Sequence, residues 1–148
     1  MARKLSLIQY VKRRNGVPLG ASGSLTNMLK NALGANNFSQ FWLYWNPIWG
    51  YYLATKIQKP LTLFLPHTLA LILTFSISGL VHDLAVSVIK QEVFFVCTPW
   101  FFVMSLAVIA STKLNINVSK FTFVIRAFIH LSTIVICYWL SDFILRLM

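Results

Sequence analysis

Residues 60–89 read PLTLFLPHTLALILTFSISGLVHDLAVSVI, with a single acid, Asp83, and no Lys or Arg. This stretch decides the fold class, because a helix of roughly 20 apolar residues is enough to cross the hydrocarbon of a bilayer. Pro60 stands near its start, and Pro66 marks a kink or a restart of the helix. Two more apolar stretches follow, at 93–111, with Pro99 and Trp100 in its first half, and at 121–145. Lys90, Gln91 and Glu92 form a tight turn between the first two, and Thr112 to Lys120 form a longer polar loop. The expected fold is all-α: a polytopic membrane helical bundle of about three spanning helices, with amphipathic and re-entrant interfacial helices beside them.

Composition points the same way. The chain of 148 residues is 57% hydrophobic and 11% charged, against about 25% charged residues in a typical soluble domain. Too few polar groups are available to cover a water-facing surface, so lipid is the expected solvent. A bundle this small encloses no deep cavity of its own, and a homo-oligomer or a partner membrane subunit is expected beside the membrane lipids. Thirteen Lys and Arg oppose three acids, Asp83, Glu92 and Asp142, for a formal net charge of +10. In a soluble chain that excess suggests nucleic acid. Here the basic residues lie mainly in the tail and loops, where they meet anionic headgroups, and no nucleic-acid partner is expected.

The chain divides into a basic cytoplasmic or interfacial amphipathic segment, 1–37, and a membrane domain, 38–148. In the first, Arg3, Lys4, Lys12, Arg13 and Arg14 alternate with Leu5, Leu7, Ile8, Tyr10 and Val11. That pattern suits either a helix lying on the membrane surface or a solvated basic tail. No continuous apolar run follows the first charges, so no signal-peptide cleavage is expected. Ser24 is placed to cap a helix whose apolar face is Leu25, Met28, Leu29, Ala32 and Leu33, and Gly34 to end it. Residues 38–55 are the most aromatic part of the chain. Trp and Tyr concentrate at headgroup depth, and Pro47 and Gly50 interrupt a regular helix, so this segment reads as in-plane or re-entrant. With that segment not crossing, ten Lys and Arg fall on the side of the N-terminus, against Lys90 and Arg146 opposite. The positive-inside rule then places the N-terminus in the cytoplasm, and a bacterial inner membrane is the expected location.

Few residues in the apolar stretches carry chemistry. Thr74, Ser78 and His82 are four apart and share one helical face, with Gly79 beside them leaving room. Asp83 lies about 100° further around and is not placed to orient His82. An ionisable residue in a span is either functional or an interhelical hydrogen bond that holds the bundle. Asn46, between Trp45 and Pro47, is ordinary turn chemistry when taken alone. In the last stretch Arg126 and His130 share a face. Arg126 lies close enough to the end to snorkel to headgroups, while His130 sits deeper. Asp142 and Arg146 form an i, i+4 surface pair. His67, next to Pro66, reads as interfacial. Cys97 and Cys137 lack metal-ligand spacing and read as small apolar packing. The histidines lie on separate stretches, so no metal is expected. Phosphate-binding and dinucleotide fingerprints are absent from the sequence.

Phe41-Trp42-Leu43-Tyr44-Trp45-Asn46, followed 36 positions later by His82 in Ser78-Gly79-Leu80-Val81-His82, resembles the membrane-bound O-acyltransferase superfamily, including its wax-synthase-like members. The resemblance covers roughly 24–90, a short, C-terminal portion of that fold. It implies that His82 is catalytic and that Asn46 is the polar partner in a Trp-rich motif. Ser78, Thr74, Trp45 and Trp42 are then expected around the substrate, with Thr74 or Ser78 steering the tautomer of His82. No resident cofactor is implied; the co-substrate is acyl-CoA or an acyl-carrier thioester, and the acceptor a hydroxyl. Leu43 and Tyr44 stand where family members often carry basic residues. Two other readings are a small non-catalytic membrane subunit and a transporter component using the Arg126–His130 face.

Overall fold

The computed structural model describes residues 5–147; the expectations for Arg3 and Lys4 fall outside them. Among the described residues the fold is all-helical, without strands. Eight helices follow in order: α1 (Leu7–Asn15), α2 (Ser24–Leu33), α3 (Phe38–Tyr44), α4 (Pro47–Tyr52), α5 (Lys59–Leu61), α6 (His67–Lys90), α7 (Cys97–Lys113) and α8 (Phe123–Leu147). A π-helical stretch, Leu53–Gln58, joins α4 to α5 without a break.

Two of these helices, α6 and α8, are long and apolar enough to cross a membrane. Helix α7 is apolar but has only 17 residues. The stretch expected at 93–111 therefore starts later, because Val93–Val96 leads in without helical structure, and ends later, at Lys113. The stretch expected from Pro60 divides as well. Pro60 belongs to the last turn of the preceding helix, and Pro66 is the N-cap from which α6 restarts. The missing amide of a proline costs nothing at a helix start.

The basic N-terminal segment is docked within its described part, not a solvated tail. Ser6 and Gln9 form a capping box at the start of α1, and Gly16 ends the helix in the left-handed region. Val11 is buried, and Tyr10 meets Tyr51 of α4 edge to face at 5.5 Å. Buried Asn15 donates through Nδ2 to the carbonyl and the hydroxyl of Ser24, at 3.0 and 2.8 Å. Ser24 thus holds α1 to α2 instead of capping its own helix, and Gly23 precedes it in the left-handed region. Gly34 ends α2 as expected.

Helices α6 and α7 form the most extensive pairing in the molecule, and the sequence of α6 explains it. Its buried face is made of Ala70, Thr74, Ser78 and Gly79, with Asp83 below them, and small residues let two backbones approach closely. The room beside Gly79 is therefore filled by protein. A Cβ added there meets the Cys97 carbonyl oxygen at 2.6 Å and the Thr98 Cα at 2.8 Å. Backbone cannot swing aside like a side-chain tip. Gly79→Ala is expected to cost about 1–3 kcal/mol by overpacking, measured as a lower denaturation midpoint.

Asp83 completes the joint. It is 2% exposed, and it accepts from the backbone N–H groups of Val96, Cys97 and Thr98 at 3.0, 2.7 and 2.7 Å, and from the Thr98 hydroxyl at 2.6 Å. Helix α7 has no local side-chain cap; Asp83 of α6 caps it from outside. The carboxylate satisfies the orphan donors and faces the positive end of the helix dipole.

Helix α8 packs on α7 and on the turn between α2 and α3. Its buried residues are small or polar: His130, Cys137 and Ser141. Cys137 lies against Val103 and Met104. Most of the other faces are apolar and uncovered, with Phe128 71% and Trp139 66% exposed.

Candidate functional site

A cavity of about 500 Å³ lies between the α3–α4 hairpin on one side and α6 and α7 on the other. Asn46 and His82 both line it. So do Trp42, Trp45, Thr74 and Ser78, so every residue expected at the site contributes to one wall or another.

The hairpin exists because the chain breaks at Trp45-Asn46. Helix α3 starts from an Asn37 cap and stops at Trp45, which turns extended. Asn46 follows with φ 43°, in the left-handed region that Asn tolerates better than most residues. Pro47 then starts α4, and the Asn46 Oδ1 accepts from the Trp49 N–H at 3.2 Å. The turn chemistry read for Asn46 is thus present, and it positions the residue on the cavity wall. The cap uses Oδ1, while Nδ2 has no partner among the described residues.

Asn46→Ala loses about 1 kcal/mol of capping and about 1–2 kcal/mol more by forcing alanine into the left-handed region. Asn46→Gly avoids the second cost and is expected to melt within about 0.5 kcal/mol of the parent. A pair of denaturation curves checks both values.

His82 is exposed at the cavity surface. Its Nδ1 lies 2.6 Å from the carbonyl oxygen of Ser78, one turn earlier. A carbonyl only accepts, so Nδ1 carries the proton. In the neutral ring Nε2 then carries the lone pair. The ring is flanked by Phe101 at 5.3 Å and by Trp49, edge to face, at 6.2 Å. The steering expected from the Thr74 or Ser78 hydroxyl comes instead from the Ser78 backbone. Thr74 spends its hydroxyl on the Ala70 carbonyl at 2.6 Å. The Ser78 hydroxyl accepts from Trp49 Nε1 at 2.9 Å, tying the hairpin to α6.

Trp42 and Trp45 also belong to the aromatic cluster beside the cavity. Trp42 contacts Phe38, Phe41, Phe75 and Phe101, and its Nε1 is buried without a partner. Trp45 stacks on Phe41 at 5.6 Å. Trp49 and Phe101, which hold the imidazole between them, carried no sequence signal beyond being aromatic.

The cavity continues along α6 from His82 to His67, a separation of roughly 22 Å of helix. Most of that wall is apolar, with Leu71, Phe75, Val108 and Ile109, and its far end is polar, with Gln58 and Lys113. His67, read as interfacial, therefore lines the same cavity.

Arg126 and His130 do another job. Arg126 Nη1 donates to the Gly34 carbonyl at 2.6 Å and the Asn36 Oδ1 at 3.2 Å. His130, 1% exposed, donates through Nε2 to the Ala35 carbonyl at 3.0 Å. Both fasten α8 to the end of α2. Arg126 reaches the turn after α2, and His130 is enclosed by Phe38 and Phe41. Asp142 and Arg146 form the expected surface pair at 2.8 Å.

No family model matches the chain, and neither does any curated protein or solved structure.

Proposed function

We propose that the chain is a membrane-embedded acyltransferase of the O-acyl-transfer type, with His82 as general base and Asn46 as the donor to the developing oxyanion. The observation that carries this reading is the meeting of Asn46 and His82 on one cavity, with the Nδ1 of His82 committed to a backbone carbonyl. The acceptor hydroxyl gives its proton to Nε2 as its oxygen attacks the thioester carbonyl carbon. The carbonyl oxygen takes up negative charge beside the free Nδ2 of Asn46. The carbon–sulfur bond then breaks, and the thiolate leaves with the proton held by His82. The wall between His82 and His67, mostly apolar and roughly 22 Å along α6, suits a long acyl group.

The uncovered apolar faces of α6 and α8 supply the support for a membrane setting. Helix α7, roughly 26 Å long, crosses between them as a third, short span. The excess of Lys and Arg supports a cytoplasmic N-terminus. A second copy or a partner subunit covers the open side of the cavity. Acyl transfer from a long-chain acyl thioester to a long-chain alcohol, measured in proteoliposomes, tests this reading. Wild-type protein is expected to transfer and His82→Ala is not.

The uncovered face of α8 also suits a non-catalytic subunit that binds other membrane helices. Stable association with a partner and unchanged partner activity in His82→Ala would favour that second reading.

A further inference from the structure

A second cavity, of about 430 Å³, opens where the end of α2 meets α3 and the first turn of α8. Its polar walls are Lys30, Asn31, Asn36, Gln40, Tyr44 and Arg126. None of the chain's three acids, all of them among the described residues, lines it.

The balance of donors and acceptors decides what such a cavity can hold. The end of a helix normally offers free carbonyls that repel an anion. Here several carbonyls at and just beyond that end are already taken: Lys30 by the Gly34 N–H, Ala32 by the Ala35 N–H, Gly34 by Arg126, Ala35 by His130, and Asn36 by the Val118 N–H at 2.8 Å. The side-chain oxygens of Asn36 and Gln40 also accept, from Arg126 and from the Asn36 N–H. Spare donors remain beside the amide oxygen of Asn31, whose Nδ2 donates to the Arg14 carbonyl. Arg126 Nη2 has no acceptor among the described residues, Lys30 forms no ion pair among them, and the amide NH2 of Gln40 and the Tyr44 hydroxyl have no acceptor there.

Two cations and several spare donors around a space of this size match an anion with several oxygens. We infer that this cavity binds a phosphate group, with Lys30 and Arg126 as its counter-charges. The inference is independent of the acyl-transfer reading. A phospholipid headgroup and a soluble phosphate share this chemistry, and the experiment separates them.

Purified full-length protein in neutral detergent is titrated with phosphatidylglycerol or phosphatidylcholine, and bound lipid is read by native mass spectrometry. The titration is repeated with millimolar inorganic phosphate and with Lys30→Gln. Lys30 is exposed and bonds to nothing that holds the fold, so this variant melts like the parent. Wild-type protein is expected to prefer the anionic lipid, and Lys30→Gln to weaken it about tenfold, the loss of one charge-assisted hydrogen bond. Displacement by inorganic phosphate assigns the site to a soluble phosphate; persistence of the lipid assigns it to the headgroup. Equal retention of both lipids with no competition by phosphate, or unchanged affinity in Lys30→Gln, overturns the inference.

Discussion

Asp83→Ala is expected to destabilise the protein by about 3–5 kcal/mol, the cost of leaving several buried donors without their shared acceptor. The carboxylate is the common acceptor for the Val96, Cys97 and Thr98 amides and the Thr98 hydroxyl. Its removal leaves the first turn of α7 facing α6 with no acceptor and no local cap to replace it. Asp83→Asn keeps one oxygen and most of the shape, and it is expected to lose about half as much, because only one side of the bond set can still accept. Denaturation in mild detergent, followed by far-ultraviolet circular dichroism, reads both. The damage also reaches the cavity, since Phe101 stands one turn beyond this joint and meets His82. An Asp83→Ala protein that melts like the parent would show that the cap does not hold α7.

Helical class was legible from residues 60–89 and the scarcity of charge, since apolar periodicity needs no knowledge of partners. Helix ends were less so. The restart at Pro66 followed from proline chemistry, while the late start of α7 at Cys97 depends on Asp83, fourteen positions earlier. A cap supplied by another helix leaves no local mark. The docking of α1 was hidden for the same reason: Asn15 and Ser24 meet only in the folded chain.

The site divides similarly. Thr74, Ser78 and His82 share a face because a helix brings every fourth residue round, and the sequence shows this directly. That Asn46 would line the same cavity came from resemblance, not from its own residue physics. Its left-handed turn and cap explain how it gets there. The roles of Arg126 and His130 as ties to Gly34 and Ala35 were invisible, since a sequence gives no sign of which carbonyl a buried donor will find.

His82 carries the largest functional prediction. It is exposed on the cavity and bonds only to its own helix, so His82→Ala is expected to fold and melt like the parent. General-base catalysis contributes about 10²–10⁴-fold, and the rate of acyl transfer is expected to fall by that factor. Asn46→Gly, which preserves the turn, is expected to fall about 10²-fold, as for loss of one oxyanion donor. Together they separate chemistry from architecture.

The most direct measurement is the rate of thiol release from a long-chain acyl thioester with a long-chain alcohol present, in proteoliposomes of wild type and His82→Ala with matched melting curves. Acceptor-dependent release by wild type, lowered about 10²–10⁴-fold in the variant, is the result expected of a cavity whose base is His82. Equal rates in the two proteins, or no acceptor-dependent release by the folded wild type, would contradict it.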